Sequence, residues 1–589
     1  MKKALLLLVF STVFSLLSFV DASAEIIEQG ADGYTIHVDE MPNLTGKESL
    51  LDILLMCPEV ISLDNVTVVD DINFDNYEIH QNDLVLLTDP ELFLSNTRAE
   101  EVAYIEITTH HAVSKGTEAY TKVIDVYYRD YKEGTSGSVS VKADSYSSLT
   151  TFNSVKYKKD NMLLWGNLEG SLKHSKDYIT EIHSHDEAAT AGLSWDINEK
   201  ENLLLQLTQR YGKQTRRGEG LRSYDRHLNL DAIYTRKLNE RGAEFKFQGV
   251  LLYNTKLSRI DYFDEQSASI NYRKFTPSIC GEYFIPFSDR FSLMAGVEMG
   301  AEQETPGGAD YKDWFYYCDF YGQLKFNVKG INFAIGDRLR SYNYMQNDVE
   351  EYWDAAHTQR KSYNHSQWEN IYNASIYGNI GKYGVLKGSF ERNIITPIFA
   401  SFLAISLSPT SDVSHVAYLK EVKPNELYLA EMKYTHQKGG FTLEALVSNA
   451  HYNNRVEASN INHDNLLQTG ITSTLSLGIM RLTAGINYYH YKVSTKTTDD
   501  KFYHNFVRLR LQPALNLASG WRIVPTIIYS SKTDSSDDEH LYIYVPANLS
   551  ATLLVSKQVG NWNFDLRGNN LAHQHFGSRS VSLGATYCW

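Results

Sequence analysis

The sequence predicts an all-β transmembrane barrel of about 20–22 antiparallel strands, with a small α/β N-terminal plug domain. Three observations predict it. The chain opens with an export-type leader and shows no later apolar run of the roughly 20 residues that a membrane helix needs. From Gly134 onward polar and apolar residues alternate in segments of about ten, the length of a strand that crosses a bilayer. The last segment is amphipathic and closes on an aromatic residue, Trp589.

The leader begins with Lys2 and Lys3, continues as an apolar stretch from Ala4 to Val20, and exits through Ala22-Ser23-Ala24. That small-x-small exit is a signal-peptidase pattern, so residues 1–24 are expected to be a cleaved signal peptide and Glu25 the mature start. A retained anchor is the rival reading, and the apolar run is short for one. No cysteine stands directly after the apolar run, so a lipoprotein is not expected.

Composition supports a barrel with a wet lumen. The 589 residues include 40 Tyr against 25 Phe and 8 Trp, yet only 43 % are hydrophobic and mean hydropathy is −0.35. When only alternate residues face lipid, mean hydropathy stays low while tyrosine and tryptophan gather at the two interfaces. The net charge of −15 opposes nucleic-acid binding, which needs a basic face. Cys57, Cys280, Cys318 and Cys588 are scattered without CxxC spacing. An oxidising compartment would permit a Cys280–Cys318 disulfide, which spacing alone does not establish.

Residues 25–133 differ in texture from the rest. They hold the β-branched runs Val66-Thr67-Val68-Val69 and Val123-Ile124-Asp125-Val126, a helix-like segment from Leu50 to Met56, and a second helical stretch around Arg98 to Val102. Together these predict a compact mixed α/β unit of about 100 residues. Residues 134–589 form the expected barrel. Clear alternation appears in Glu244–Tyr253, Phe291–Met299, Asn505–Leu511 and Ser580–Tyr587.

The connectors come in two kinds. Tight turns are predicted at Asn239–Gly242, Ser288–Arg290, Lys438–Gly440, Ser519-Gly520 and Gly560-Asn561. Long charged loops are predicted at Gln214–Arg222, Gln346–Gln367 and Lys532–Glu539. In a bacterial outer-membrane barrel, tight turns face the periplasm and long loops face outside. A soluble propeller would instead repeat a motif every 40 to 50 residues or so, and none is visible. At the end of the chain Val581, Leu583, Tyr587 and Trp589 share one face, similar to the assembly signal read by the outer-membrane insertion machinery.

The residues carry a family resemblance. Asp32-Gly33-Tyr34-Thr35-Ile36-His37-Val38, the Leu50 helix with Cys57-Pro58-Glu59-Val60, Asp83–Asp89, Arg98–Ile107 and Val123–Val126 resemble, in order, the plug of the TonB-dependent receptor family. In the barrel, Ser389–Pro397, Val422–Tyr434 and Asp565–Leu571 are similar to strands of the family's outer-membrane β-barrel domain. The likeness spans nearly all of the mature chain. It departs at Glu59, where the family has glycine, and Glu25 to Gly33 shows no clear TonB box. Such a box is a short extended segment to which a partner adds as a strand.

The resemblance implies a bacterial outer-membrane receptor that binds and imports a small nutrient ligand. Its implied partners are membrane lipid, the barrel insertion machinery and the TonB energy-coupling complex. The departures suit a second reading, a non-transporting plugged barrel with a structural, assembly or surface-interaction role.

No residues suggest a cofactor. Gly-x-Ser-x-Gly, HExxH and P-loop motifs are all missing, so an enzyme is not expected. His183-Ser184-His185-Asp186 has i, i+2 imidazoles that would suit zinc or copper, but it is read as a polar outer loop, as are His573-Gln574-His575 and His110-His111. The acidic runs Asp348–Glu351 and Asp534–Glu539 are read as solvated faces in preference to Ca²⁺ sites. Trp353, Tyr363 and Trp368, in the longest predicted loop, are candidate contacts for a planar ligand. An interfacial aromatic belt would account for them equally well.

Overall fold

A computed structural model describes residues 27–29, 33–38, 49–54, 77–85, 93–94, 96–108, 122–129 and 133–589, apart from the segments 177–180, 218–220, 262–266, 307–312, 355–356, 382–383, 396–424, 454–460, 496–500, 518, 533–546, 570 and 573–578. The leader, Cys57–Val60, Val66–Val69, His110-His111, Asp534–Glu539 and His573–His575 lie outside the described residues.

The N-terminal unit is one six-stranded sheet. Its strands are β1 (Ile27–Gln29), β2 (Gly33–His37), β3 (Tyr77–Gln81), β4 (Leu84–Val85), β5 (Val102–Thr108) and β6 (Lys122–Tyr128). Their order is β1-β2-β5-β6-β3-β4, and only the β3–β6 pair is parallel. The predicted β-branched run forms β6, with Val123, Ile124 and Val126 fully buried. A parallel central strand covered on both faces calls for that composition. Helix α1 (Leu50–Leu54) lays Leu50, Ile53 and Leu54 on Ile36 and Ile105, all at 0 % exposure. The second predicted helix shrinks to a 3-10 turn at Ala99–Glu101, because buried Val102 already starts β5.

The remaining strands close into a barrel in strict chain order, every pair antiparallel. It begins with β7 (Gly134–Asp144), β8 (Leu149–Lys159), β9 (Met162–Lys176), β10 (Glu181–Asn198), β11 (Glu201–Arg217), β12 (Leu221–Lys237) and β13 (Glu244–Asp261). The wall continues through β14 (Ser267–Ser288), β15 (Phe291–Pro306), β16 (Asp313–Val328), β17 (Ile331–Asp354), β18 (His357–Asn379), β19 (Val385–Ile395), β20 (Asn425–Lys438) and β21 (Phe441–Asn453). It ends with β22 (Ile461–Leu477), β23 (Met480–Thr495), β24 (Lys501–Leu517), β25 (Trp521–Ser530), β26 (Asn548–Val559), β27 (Trp562–Asn569) and β28 (Ser580–Cys588), and β28 pairs back onto β7. Twenty-two strands fall within the predicted range.

Period-two patterning decides which residues meet lipid. On β9 the row Met162, Leu164, Leu168 and Leu172 is 36–60 % exposed, whereas the interleaved Trp165, Asn167, Glu169 and Ser171 are 3–8 % exposed. The same inversion, apolar outside and polar inside, recurs at Leu207 against Gln206 and Thr208, and at Leu228 and Leu230 against Asn229 and Asp231. A soluble protein would pay roughly 25 cal/mol per Å² for such leucines, so the outer surface suits hydrocarbon. Among the described residues no helix is long and apolar enough to cross a membrane, as expected if strands do the crossing.

All five predicted tight turns lie at one end of the barrel, joining β12–β13, β14–β15, β20–β21, β24–β25 and β26–β27. Trp195, Phe287, Trp521, Trp562 and Trp589 project outward near that rim. At the opposite end the wall is tall on one flank, where β14, β17 and β18 have 22, 24 and 23 residues, and low at β27 and β28, with 8 and 9. Crossing needs only about 9 to 11 residues, so the tall flank rises well beyond a bilayer.

The predicted loop Gln346–Gln367 is therefore mostly strand. β17 and β18 stay paired up to Asp354↔His357, with irregularities at Gln346/Val349 and Tyr352/Asp354. Likewise β11 and β12 narrow Gln214–Arg222 to a short connector. Above the membrane both faces of a strand meet water, so apolar alternation no longer marks it.

Candidate functional site

The site lies where the N-terminal sheet meets the lumenal wall. Strands β3 and β4 form a tight hairpin across Asn82 (φ 49°) and Asp83 (φ 68°). A two-residue loop with both central φ positive matches the right-handed strand twist, and asparagine and aspartate tolerate that conformation better than other side chains. The hairpin acts as a finger. Its Leu84 is 0 % exposed, buried among Trp165, Leu204 and Ile233 of the wall.

Polar bonds surround that apolar tip. Lys246 Nζ reaches Asp83 Oδ2 at 2.8 Å, and Gln206 Nε2 donates to the Val85 carbonyl at 3.0 Å. The Asp83 backbone N–H donates to Asp125 Oδ1 at 3.0 Å, while the Tyr127 hydroxyl donates to Asp83 Oδ1 (3.2 Å) and Asp125 Oδ2 (3.3 Å). Burial first, then the Asp83 and Asp125 carboxylates, push the Tyr127 hydroxyl far above the ordinary phenol range. Tyr104 stacks on it at 4.5 Å and is itself pushed up to about 12, by burial and then by Glu106. Both tyrosines therefore remain hydrogen-bond donors at physiological pH.

A second contact region involves Lys156 of β8. It bonds Glu101 and sits over the Tyr128 ring at 4.5 Å, while Phe152 on the same strand joins the plug's core. Across the lumen Lys433 of β20 lies over the Tyr34 ring at 5.2 Å. Apart from Phe152, these wall residues lie in the strand half next to the tight turns: Lys156 near Lys159, Trp165 near Met162, Leu204 and Gln206 near Glu201, Ile233 near Lys237, Lys246 near Glu244, Lys433 near Lys438. The described sheet thus meets the wall mainly in the tight-turn half of the lumen.

Truncating the finger's anchor should loosen this seat. Leu84→Ala removes a fully buried side chain, which costs about 2–5 kcal/mol. Limited proteolysis is expected to cut the N-terminal unit faster, with the thermal stability of the barrel unchanged.

Farther round the wall, β14–β17 carry a charged network. Arg338 and Asp319 are both 0 % exposed and bond at 2.6 Å. Arg338 also pairs with Glu298, and Arg340 Nη2 reaches Asp319 Oδ2 at 2.7 Å. The Tyr317 hydroxyl donates to Glu298 (3.0 Å), the Tyr321 hydroxyl donates to Glu282 (3.1 Å), and Arg338 lies over the Tyr321 ring at 4.8 Å. Each carboxylate in this buried strip has a cation or hydroxyl partner, as burial of charge requires.

The sequence candidates fall in several places. Trp353 lies in β17 and Tyr363 in β18, where its partner is Gln346. Trp368 pairs with Ser341 and is 57 % exposed, on the outward face it shares with Ile376. Asp348–Glu351 also belong to β17. Val581 and Leu583 point outward at 44 % and 63 % exposure, and Tyr587 stacks on Trp589 at 6.2 Å. Trp589 exchanges backbone bonds with Gly137, closing the seam. Only glycine fits there, because a Cβ would lie 2.4 Å from the Ser154 carbonyl and 2.5 Å from the Trp589 ring.

His183–Asp186 are not a loop but part of β10, with His183 directly opposite His174 of β9. Among the described residues no cluster of three or more metal-ligating side chains occurs. Cys280 and Cys318 are free thiols. They sit on strands separated by β15, and Cys280 lies beside the Tyr321 hydroxyl at 3.1 Å, so the permitted disulfide does not form. Alkylation of the unfolded, unreduced protein followed by mass measurement is expected to modify both thiols.

Sequence reasoning placed Asp83–Asp89 in a plug-like segment but did not single out Asp83 or Leu84 as wall contacts, nor the Arg338 network. Besides that resemblance the finger left a local trace, an Asn-Asp pair between two β-type segments.

A closed barrel whose lumen holds a folded N-terminal sheet defines a class, the plugged outer-membrane barrel. The chain has the fold of TonB-dependent receptors, the family the sequence resembles. No sequence family and no curated protein sequence matches it. The copper transporter OprC is similar in structure, with a TM-score of 0.69 at 12 % identity over 87 % of this chain and 93 % of that one. The FrpB iron transporter from Neisseria meningitidis gives 0.66 at 9 % identity over 87 % and 92 %. The siderophore receptor PirA from Pseudomonas aeruginosa gives 0.64 at 12 % identity over 95 % and 100 %.

Proposed function

We propose that this protein is an outer-membrane receptor that binds a small ligand on its outer side and imports it past the plug. The observation that carries this reading is how the plug is held. A barrel this wide cannot be filled by its own side chains, so a folded domain must stop it. Yet among the described residues the seat combines single polar pairs, Lys246–Asp83, Lys156–Glu101 and Gln206 with the Val85 carbonyl, with two small apolar contacts, Leu84 in the wall and Phe152 against the plug's core. Polar pairs of this kind can be remade with other lumenal polar groups or with water, which suits a stopper that must shift and reseat.

Strand β1 supports energy coupling. It is the edge strand of the plug sheet, paired only with β2 among the described strands, so its other edge is open to an added strand. It falls within the Glu25–Gly33 stretch where a TonB box is sought. The structural neighbours are named for copper, iron and siderophore traffic, so copper and ferric chelates are the first ligands to assay. Residues 25–133 serve as the plug and 134–589 as the conduit in this reading.

The test is ligand accumulation by intact cells. Uptake that stops on deleting Glu25 to Gly33, and on collapsing the proton-motive force, supports energised import. Accumulation unaffected by both treatments, or no ligand accumulated at all, supports the non-transporting structural role instead.

A further inference from the structure

On the outer face of β10–β13 the strand registers stack residues in horizontal rows. The row Ala191–Leu207–Leu230–Leu251 is apolar, and Ala189–Gln209–Leu228–Tyr253 lies above it. Higher still come Glu187–Tyr211–Arg226–Thr255 and His185–Lys213–Tyr224–Leu257, then a row with Thr215 opposite Arg222. These upper rows lie on the side away from the tight turns, hence toward the outer leaflet. Same-face rows are about 7 Å apart along a strand, so the cations sit at headgroup depth, directly over lipid-facing leucines.

Lys213, Arg222 and Arg226 are all exposed. Lys213 Nζ lies 5.6 Å from the Tyr224 ring centre, and the Arg226 guanidinium lies 5.6 Å from that of Tyr211. His185 packs edge-on against Tyr211 at 6.3 Å. The nearby carboxylate in these rows, Glu187, is engaged by His185 Nε2 at 2.9 Å. Cross-strand cation–π pairs thus hold two charges at fixed places on an otherwise acidic protein.

We infer that this patch binds the phosphate-bearing headgroup of an outer-leaflet glycolipid. The aromatic rings would lie against the sugar, Lys213, Arg222 and Arg226 would bond phosphate oxygens, and the leucines below would meet the acyl chains. Outward orientation and depth select a lipid over a soluble anion. The inference rests on the barrel's orientation in the membrane and not on import, so either can fail alone.

The test is native mass spectrometry of the full-length protein extracted from outer membranes in mild detergent. The wild type is expected to carry a phosphorylated glycolipid, retained in excess inorganic phosphate. Lys213→Gln with Arg226→Gln should lower its occupancy about tenfold, the effect of losing two charge-assisted contacts. Arg226→Lys should keep most of it. Lys237→Gln with Arg241→Gln, the same charge change at the tight-turn rim, should keep all of it. Heat-modifiable gel mobility confirms that each barrel is folded. A wild type free of glycolipid would overturn the inference. So would equal retention by both double variants, displacement by inorganic phosphate, or equal occupancy by a simple anionic phospholipid.

Discussion

Removing residues 25–133 while keeping residues 1–24, the expected export signal, is expected to turn a silent barrel into an open pore. The lumenal wall is lined by polar residues such as Asn167, Gln206, Thr208 and Asn229, so water and ions would enter freely once the sheet is gone. The wall should persist without it, because each barrel strand hydrogen-bonds its neighbours and the ring has no free edge. In planar bilayers the truncated protein should conduct in large, steady steps, and the full-length protein should not. Equal conductance from both would mean that the N-terminal unit does not block the lumen.

The second large effect concerns Arg338. This side chain is wholly buried between Asp319 and Glu298. Arg338→Met would leave Glu298 with only the Tyr317 hydroxyl among the partners identified, and Asp319 with Arg340. Breaking a buried pair by deleting one partner costs about 3–5 kcal/mol, since the surviving charge stays desolvated. Urea unfolding in detergent micelles should show that loss. Arg338→Met combined with Glu298→Gln should recover part of it, because one stranded charge is then gone. A single variant as stable as the wild type would show that water reaches the network.

Where the chain contacts hydrocarbon, its sequence announces the structure. The alternation at Glu244–Tyr253 and Ser580–Tyr587 marks β13 and β28 because lipid requires an apolar residue at every second place. The tight turns were equally visible, since Gly242, Gly439, Gly520 and Gly560 take positive φ at the predicted positions. Legibility stops at the bilayer boundary. Tyr352 and Thr358 are paired strand residues within a stretch that reads as charged loop, because neither face of the hairpin there is required to be apolar.

The site was harder to read for a related reason. Lys246 and Asp83, or Lys156 and Glu101, are far apart in the chain, and their pairing depends on where the plug docks. A lysine facing the lumen looks in sequence like any inward polar residue. The Arg338 network is hidden in the same way. Glu282, Glu298, Asp319 and Arg338 each occupy an ordinary polar slot, and only barrel register gathers them.

The most direct test of the whole account walks a single spin label along β9 in a cysteine-free background, in lipid bilayers. Labels at Leu164, Leu168 and Leu172 should collide with dissolved oxygen and avoid a water-soluble nickel relaxant, while labels at Asn167, Glu169 and Ser171 should show neither lipid-like oxygen access nor the same profile. Uniform accessibility along the strand, or leucine positions open to the aqueous reagent, would contradict a lipid-facing wall around a plugged lumen.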